Sequence, residues 1–329
     1  MKPSAATRPI SYRSTRRAAL ATLAGATAVL ALPALSQTAA QPTKVVFGYT
    51  AVGDYLSVFA AVEQGYFAKR NLEVEPKFIP LNSTIPAAIQ SGSLQIGGPT
   101  PSVFLQSVDG GLDQVILAGG GVLSKTYTEI GVAARAGSGI RTAQDFVGKK
   151  VGVPGLGALL HVTFRQWLKV NGVDWKKVNF IETPFPQHAD LIRSGSIDAV
   201  VTGGPFMARI VDSGTGYVAS YYSTFLGDGQ PTIVHVATRE WVKANPGAAK
   251  AFAQGVIEGA AFVTNPKNDT TVREYIVKYL KVPAPAAAKM QISPPGPVVT
   301  EKQLNWWVGL MKEQDMLKTT LNVSQLLVK

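Results

Sequence analysis

The chain has 329 residues, 46% hydrophobic and 16% charged, which is enough for one large or two medium α/β domains and too apolar for a disordered chain. It contains no cysteine, which excludes a thiol nucleophile, a CxxC redox pair, a thiolate metal site and a disulfide framework. Five cations of the formal +11 charge (Lys2, Arg8, Arg13, Arg16, Arg17) precede Gln41 with no acid among them, and the +6 that remains forms no Lys/Arg run interleaved with aromatics, so no nucleic-acid partner is expected.

Residues 1–40 read as a secretory signal: a basic region from Arg8 to Arg17, an uncharged run from Ala18 to Leu35, then small residues suited to cleavage between Ser36 and Gln41. The Arg16-Arg17 pair after Ser14-Thr15 is similar to a twin-arginine export signal. The apolar run is rich in Ala, Thr and Gly and weak for a membrane span. The expected location of the cleaved protein is the periplasm.

From Thr43 strands and helices alternate. Val45–Tyr49 reads as a buried strand, Tyr55–Lys69 as a helix and Leu72–Phe78 as a second strand. A short helix over Ile85–Ser91 ends at Gly92, a C-cap residue. A strand over Leu94–Gly97, a helix opening at Pro101 and a strand over Val115–Ala118 follow. Strands separated by helices predict parallel pairing and an α/β class. Gly119-Gly120-Gly121 lacks dinucleotide spacing and reads as a flexible loop. A second run starts at Thr142, where Asp145 completes a capping box. Strands are expected at Lys150–Val153, Val178–Glu182 and Ile197–Val201, with helices at Leu159–Val170 and His188–Arg193. Beyond Pro246 the pattern is helical: Ala248–Val263, Val272–Leu280 and Glu301–Leu317, the last opened by a Thr300–Gln303 capping box. Of Trp306 and Trp307 on that helix, one is expected in the core and the other at a contact between lobes.

An internal repeat carries the functional reading. Ala88–Gly111 and Leu191–Gly216 each hold a helix, a Ser-Gly-Ser turn, a strand and a Gly-Gly-Pro turn into a second helix. Ser91-Gly92-Ser93 and Ser194-Gly195-Ser196 lie 103 residues apart, and Gly97-Gly98-Pro99 matches Gly203-Gly204-Pro205. Glycine lets backbone approach a ligand closely, and a helix N-terminus offers unpaired N–H donors. Two lobes on one plan, facing each other, would enclose a small solute.

The segments GYFAKRNLEV (Gly65 to Val74), IQSGSLQIG (Ile89 to Gly97), DFVGKKVGV (Asp145 to Val153) and LIRSGSIDA (Leu191 to Ala199) stand in this order, with Gly204-Pro205-Phe206 after the last. Together they resemble the periplasmic substrate-binding proteins of ABC importers for nitrate, sulfonate and taurine, a group related to thiamine-pyrimidine-precursor binders. Gln95 stands where that family usually has Asp.

The resemblance implies the type II periplasmic binding fold: two α/β lobes, a ligand cleft and two hinge crossovers, near Glu129–Ala134 and Thr232–Val236. Lobe one would comprise residues 44–130 and 235–329, and lobe two residues 131–234. The implied partners are a small-molecule solute and the importer's membrane permease, with a monomer expected and no cofactor or metal. Carried onto this chain, the cleft would be lined by Gly53, Asp54 and Tyr55; Asn82, Ser83 and Thr84; Pro99 and Thr100; Gly155, Gly157 and Ala158; and Gly204, Pro205 and Phe206. Family members often carry Ser, commonly followed by His, where Gly157-Ala158 stands, a departure that bears against a nitrate- or sulfonate-type oxyanion site. Val52 belongs to the first of these loops. Tyr55, Phe185, Phe206, Tyr222 and Phe225 could form an aromatic clamp, although core packing is the commoner fate of such residues. Asp54 suits an ammonium or N–H group, or equally a helix N-cap. Lys125 could pair with an anion or lie on the surface.

The solute stays open among oxyanion, aromatic carboxylate and pyrimidine. An enzyme is not expected: His161, His188 and His235 lack metal-ligand spacing and read as structural, and there is no G-x-S-x-G elbow or P-loop. Two other roles share the fold, a pyrimidine-precursor-synthesising enzyme and a sensor presenting its ligand to a membrane receptor. The former resembles cytosolic proteins with a cysteine-containing motif, which this chain lacks.

Overall fold

Two five-stranded sheets organise residues 41–328, the part of the chain that the computed structural model describes. The secretory signal read over residues 1–40 lies outside the described residues. Strands are numbered in chain order. The first sheet runs β2 (Leu72–Phe78), β1 (Thr43–Tyr49), β3 (Ile96–Gly97), β10 (Val234–Thr238), β4 (Gln114–Gly119). The second runs β7 (Asn179–Glu182), β6 (Lys150–Val153), β8 (Ala199–Gly203), β5 (Ile130–Arg135), β9 (Gly216–Ser220). The two have one topology: three parallel strands, then one antiparallel to both its neighbours.

That antiparallel strand corrects the expectation of wholly parallel pairing. β10 and β5 each enter directly from the other sheet, without a crossover helix to reverse the chain. The chain passes between sheets at residues 120–129 and 221–233. The segments read as hinges, Glu129–Ala134 and Thr232–Val236, overlap the sheet strands that follow. The passing segments pair with each other: Leu123 N–H donates to Gln230 O (2.7 Å) and Thr232 N–H to Gly121 O (2.9 Å).

Both sheets are covered on both faces, as near-continuous apolar strands require. On the first, α1 (Leu56–Glu63), α8 (Pro246–Thr264) and α9 (Asp269–Leu280) bury Phe47, Phe59 and Phe252 on one side. On its other side α2 (Ile85–Gln90), α3 (Pro101–Asp109) and α11 (Glu301–Lys312) bury Phe104, Ile116 and Trp307. On the second, α4 (Leu159–Val170) covers Val151, Phe164 and Tyr222, while α5 (His188–Ser194) and α6 (Gly204–Asp212) cover Ile192, Val200 and Ile210. Two short helices, α7 (Arg239–Ala244) and α10 (Ala284–Lys289), follow β10 and α9. Trp307 is buried and donates its indole N–H to Pro231 O at 3.0 Å. Trp306 packs beside Gly227, on the segment leaving the second sheet.

The repeat holds at atomic detail. Gly92 and Gly195 both take a left-handed conformation, φ 76° and 72°. Ser91 and Ser194 each donate to the carbonyl three residues back (3.1 Å in both) and lie 3.0 and 2.8 Å from Ser93 and Ser196. The copies part at Gly-Gly-Pro: α6 begins at Gly204, whereas α3 begins only at Pro101, after an N-cap at Thr100.

Two local readings are corrected. The helix expected over Tyr55–Lys69 ends at Glu63, because Gly65 turns left-handed (φ 68°) and Tyr66 N–H closes back on Ala61 O at 2.9 Å, a Schellman-type stop. The triple glycine Gly119–Gly121 is a packed crossing point, not a flexible loop. A Cβ at Gly119 would overlap Gly296 O, and one at Gly121 would overlap Asp54 Oδ1. Both predicted capping boxes form, at Thr142–Asp145 and Thr300–Gln303.

Candidate functional site

Four parallel strands, β1 and β3 of one sheet and β6 and β8 of the other, point their C-terminal ends toward one cavity between the lobes. This is where open α/β sheets bind ligands. Its wall carries Thr50–Asp54 after β1, Thr100 after β3, Pro154 and Ala158 after β6, and Gly203–Pro205 at the end of β8. The cavity has a volume of about 70 Å³, room for a solute the size of a few waters.

The first lobe's part is held rigidly by a buried tyrosine and a buried asparagine. The Tyr55 hydroxyl donates to Gly98 O (2.5 Å) and lies 3.2 Å from Thr50 Oγ1. Asn82 Nδ2 donates to the same Gly98 carbonyl (3.2 Å), and its Oδ1 accepts the Thr100 N–H (2.8 Å). Thr100 Oγ1 caps α3 and also accepts the Leu159 N–H, which belongs to the opposite lobe, at 3.3 Å. Asp54 sits at the cavity wall, and its Oδ1 accepts hydroxyl hydrogen bonds from Thr232 and from Ser293, the latter at 3.1 Å. Burial raises the Asp54 pKa against the lowering effect of those bonds. Burial likewise pushes the Tyr127 phenol well up, helped by the negative charge of Asp54 and Glu129.

The second lobe contributes an aromatic wall. Phe185 lies on the cavity and stacks on Phe206, ring centres 5.1 Å apart. Behind Phe185 is His188, fixed by Thr202 Oγ1 and Thr183 O, each at 2.9 Å. Beside the cavity, Glu182 Oε1 accepts from Ser83 Oγ of the first lobe (2.7 Å) and from Leu156 N–H (2.8 Å), joining the lobes at their rim.

Of the residues named from sequence, Gly53, Asp54, Asn82, Thr100, Ala158, Phe185, Gly204 and Pro205 are on the wall, as is Val52. Tyr55 is fully buried beneath it. Ser83 and Thr84 turn away, the one to Glu182 and the other to Leu81 O. Pro99 gives its carbonyl to Val234 N–H (3.0 Å). Gly155 packs on Ala158, and Gly157 meets Gln106 while its N–H is taken by His161 Nδ1 (2.9 Å). Phe206 stands behind Phe185. The clamp is not assembled: Tyr222 is in the second lobe's core and Phe225 is 79% exposed. Lys125 is exposed, its N–H on Asp228.

Sequence reasoning missed Tyr127, Ile130, Thr232, Ile233 and Met290 on the wall. They come from the segments that cross between lobes and from the C-terminal return, where no motif marks them. The three histidines are buried, and burial lowers their pKa to about 3 (His161), 4 (His188) and 3 (His235), so they are neutral at ordinary pH.

A family model described as the NMT1-like family matches residues 38–277. Among curated relatives, the nitrate/nitrite binding protein NrtA of Synechococcus elongatus is 26% identical over 251 residues, covering 68% of this chain and 56% of that protein. NrtA of a Nostoc species is 24% identical over 266 residues, covering 74% and 60%. The chain thus spans less than two thirds of these relatives' length. Among solved structures, the periplasmic aliphatic sulphonate binding protein SsuA from Escherichia coli superposes with a TM-score of 0.69 at 17% identity, covering 87% of this chain and 97% of that one. The periplasmic nitrate-binding protein NrtA from Synechocystis gives 0.73 at 17% identity, covering 87% and 84%. The shared fold is that of two-lobed periplasmic binding proteins.

Proposed function

The chain belongs to the NMT1-like family, and from that premise we propose that it is a periplasmic solute-binding receptor that holds one small molecule between its lobes and delivers it to an ABC importer. One observation carries this reading: strand-end loops from two separate sheets converge on one cavity. A solute there touches both lobes, and only such a solute can shift an open–closed equilibrium. The named relatives and neighbours are binding proteins for nitrate, nitrite or sulfonates, which supports a binder rather than a catalyst. The permease partner and export of the chain rest on the same resemblance and on the signal at residues 1–40.

We take residues 44–130 with 235–329 as one lobe and 131–234 as the other. Every strand respects this division to within one residue. The paired crossing segments then act as the hinge, and the Ser83–Glu182 contact as a rim latch in the closed form.

The test is thermal unfolding of the purified protein across a panel of small anions, amines, carboxylates and heterocycles. A true solute at a hundred times its Kd adds about 2.7 kcal/mol of stability and shows a saturable rise in melting temperature. A panel without any saturable rise removes the receptor reading.

A further inference from the structure

Among the described residues the cavity wall bears one acid, Asp54, and no basic side chain. Several backbone N–H groups that strand-end loops would offer to an anion are already engaged. Thr100 N–H is on Asn82 Oδ1 (2.8 Å), and Leu159 N–H is on Thr100 Oγ1 (3.3 Å). Leu156 N–H is on Glu182 (2.8 Å), Gly157 N–H on His161 (2.9 Å) and Gly204 N–H on Glu129 O (2.9 Å). The Asn82 amide hydrogens are also used, on Gly98 O and toward the Tyr55 hydroxyl. Among the described residues no Lys, Arg or His lies on the wall. An oxyanion entering here would leave water for a site with no counter-charge and a carboxylate on its wall, and desolvated charge without an opposite partner is strongly disfavoured.

Asp54 presents the opposite chemistry. Both hydroxyl hydrogen bonds, from Thr232 and Ser293, end on Oδ1, and Oδ2 receives no side-chain hydrogen bond among the described residues. No cation of the described residues forms an ion pair with Asp54. Phe185, Ile130, Leu160 and Ile233 give the rest of the wall an apolar character. We infer that the solute of this receptor is a small ammonium with an apolar body, its charged nitrogen on the Asp54 carboxylate and its carbon skeleton against Phe185, rather than an oxyanion. Burial disfavours the Asp54 charge, and a cation on the carboxylate would favour it. The inference rests on the receptor reading above and narrows its substrate.

Calorimetric and thermal-shift titrations of the full-length protein with butylamine and benzylamine decide the matter, run beside butanol and benzyl alcohol as neutral isosteres and sodium nitrate and ethanesulfonate as anions. The expected result is saturable binding of at least one amine, with its isosteric alcohol and both anions weaker by about tenfold or more, the size of a lost charge-assisted hydrogen bond. Asp54→Asn keeps the side-chain shape and should weaken the amine by a similar factor while circular dichroism stays unchanged. Saturable nitrate or ethanesulfonate binding without an amine response overturns the inference and leaves the receptor reading intact. Equal binding of amine and alcohol, or an unaltered amine affinity in a folded Asp54→Asn, overturns it as well. Silence of all six probes also overturns it, and the wider panel then judges the receptor reading separately. Because the wild-type comparison of amine, alcohol and anion is decisive alone, the test stands even if the variant fails to fold.

Discussion

His235 shows how a buried titratable side chain sets acid sensitivity. Its ring packs edge-on against Phe47 (5.3 Å) and Phe252 (5.8 Å), and neither ring nitrogen has a partner among the described residues. His161, His188 and His235 all have folded pKa values of about 3 to 4, against 6.5 for the free side chain. The unfolded chain therefore takes up protons first as pH falls. Stability is full above about pH 6.5 and drops between there and about pH 3, by about 1.4 kcal/mol per pH unit for each group. Asp54, with its raised pKa, acts in the opposite sense but is a single group. We expect the midpoint of urea unfolding to fall steadily between pH 7 and pH 4. His235→Phe should hold stability at pH 7 and flatten the acid slope, and an unchanged slope would mean that His235 is not buried as a neutral ring. At the cavity, Phe185→Leu should weaken whichever solute saturates the wild type severalfold, whereas Phe206→Leu, one ring further back, should do so less. Titration of both variants checks the order.

At the scale of elements, close backbone approach fixes how helices meet. α1 crosses α8 at Gly259, where a Cβ would overlap the Ser57 carbonyl, and Gly255 admits the Phe67 ring. Gly259→Ala must push the helices apart, at about 1–3 kcal/mol, lowering the melting temperature without touching the cavity. An unchanged melting temperature would refute the tight crossing. The elements that local chemistry decides were legible. β2, β6 and α4 have the bounds read from hydrophobic runs and their Gly, Asn and capping neighbours, and both capping boxes formed. The helix expected over Tyr55–Lys69 is too long because it runs through Gly65, whose left-handed φ stops α1. The parallel pairing was overdrawn because β5 and β10 look, from their own residues, like any other buried strand. Only the path of the chain between sheets reverses them.

At the scale of the whole molecule, polar contacts between the lobes away from the crossing segments include Ser83 with Glu182, Thr100 with Leu159, Lys169 with Glu313 (3.2 Å), and Gln314, which takes Arg165 on its carbonyl (3.0 Å) and donates to Val162 O (3.0 Å). If the rim contact latches the closed form, Glu182→Ala should favour the open one. Small-angle scattering would then give a larger radius of gyration for the solute-free variant, reduced by saturating solute. Identical radii in variant and wild type would remove the latch.

The doubling of the plan was decided by the sequence alone. A Ser-Gly-Ser turn needs only its own backbone angles and hydroxyls, so two copies in the chain must give two like turns in space. The wall of the cavity was decided by tertiary structure. Asp54 meets Thr232 and Ser293 across 178 and 239 residues, and Leu159 spends its N–H on a threonine of the opposite lobe. Hydrogen-bond saturation is a property of partners brought together by folding. Short-range pattern therefore indicates which loops reach a cleft, and only the folded chain determines which of their donors remain free once there.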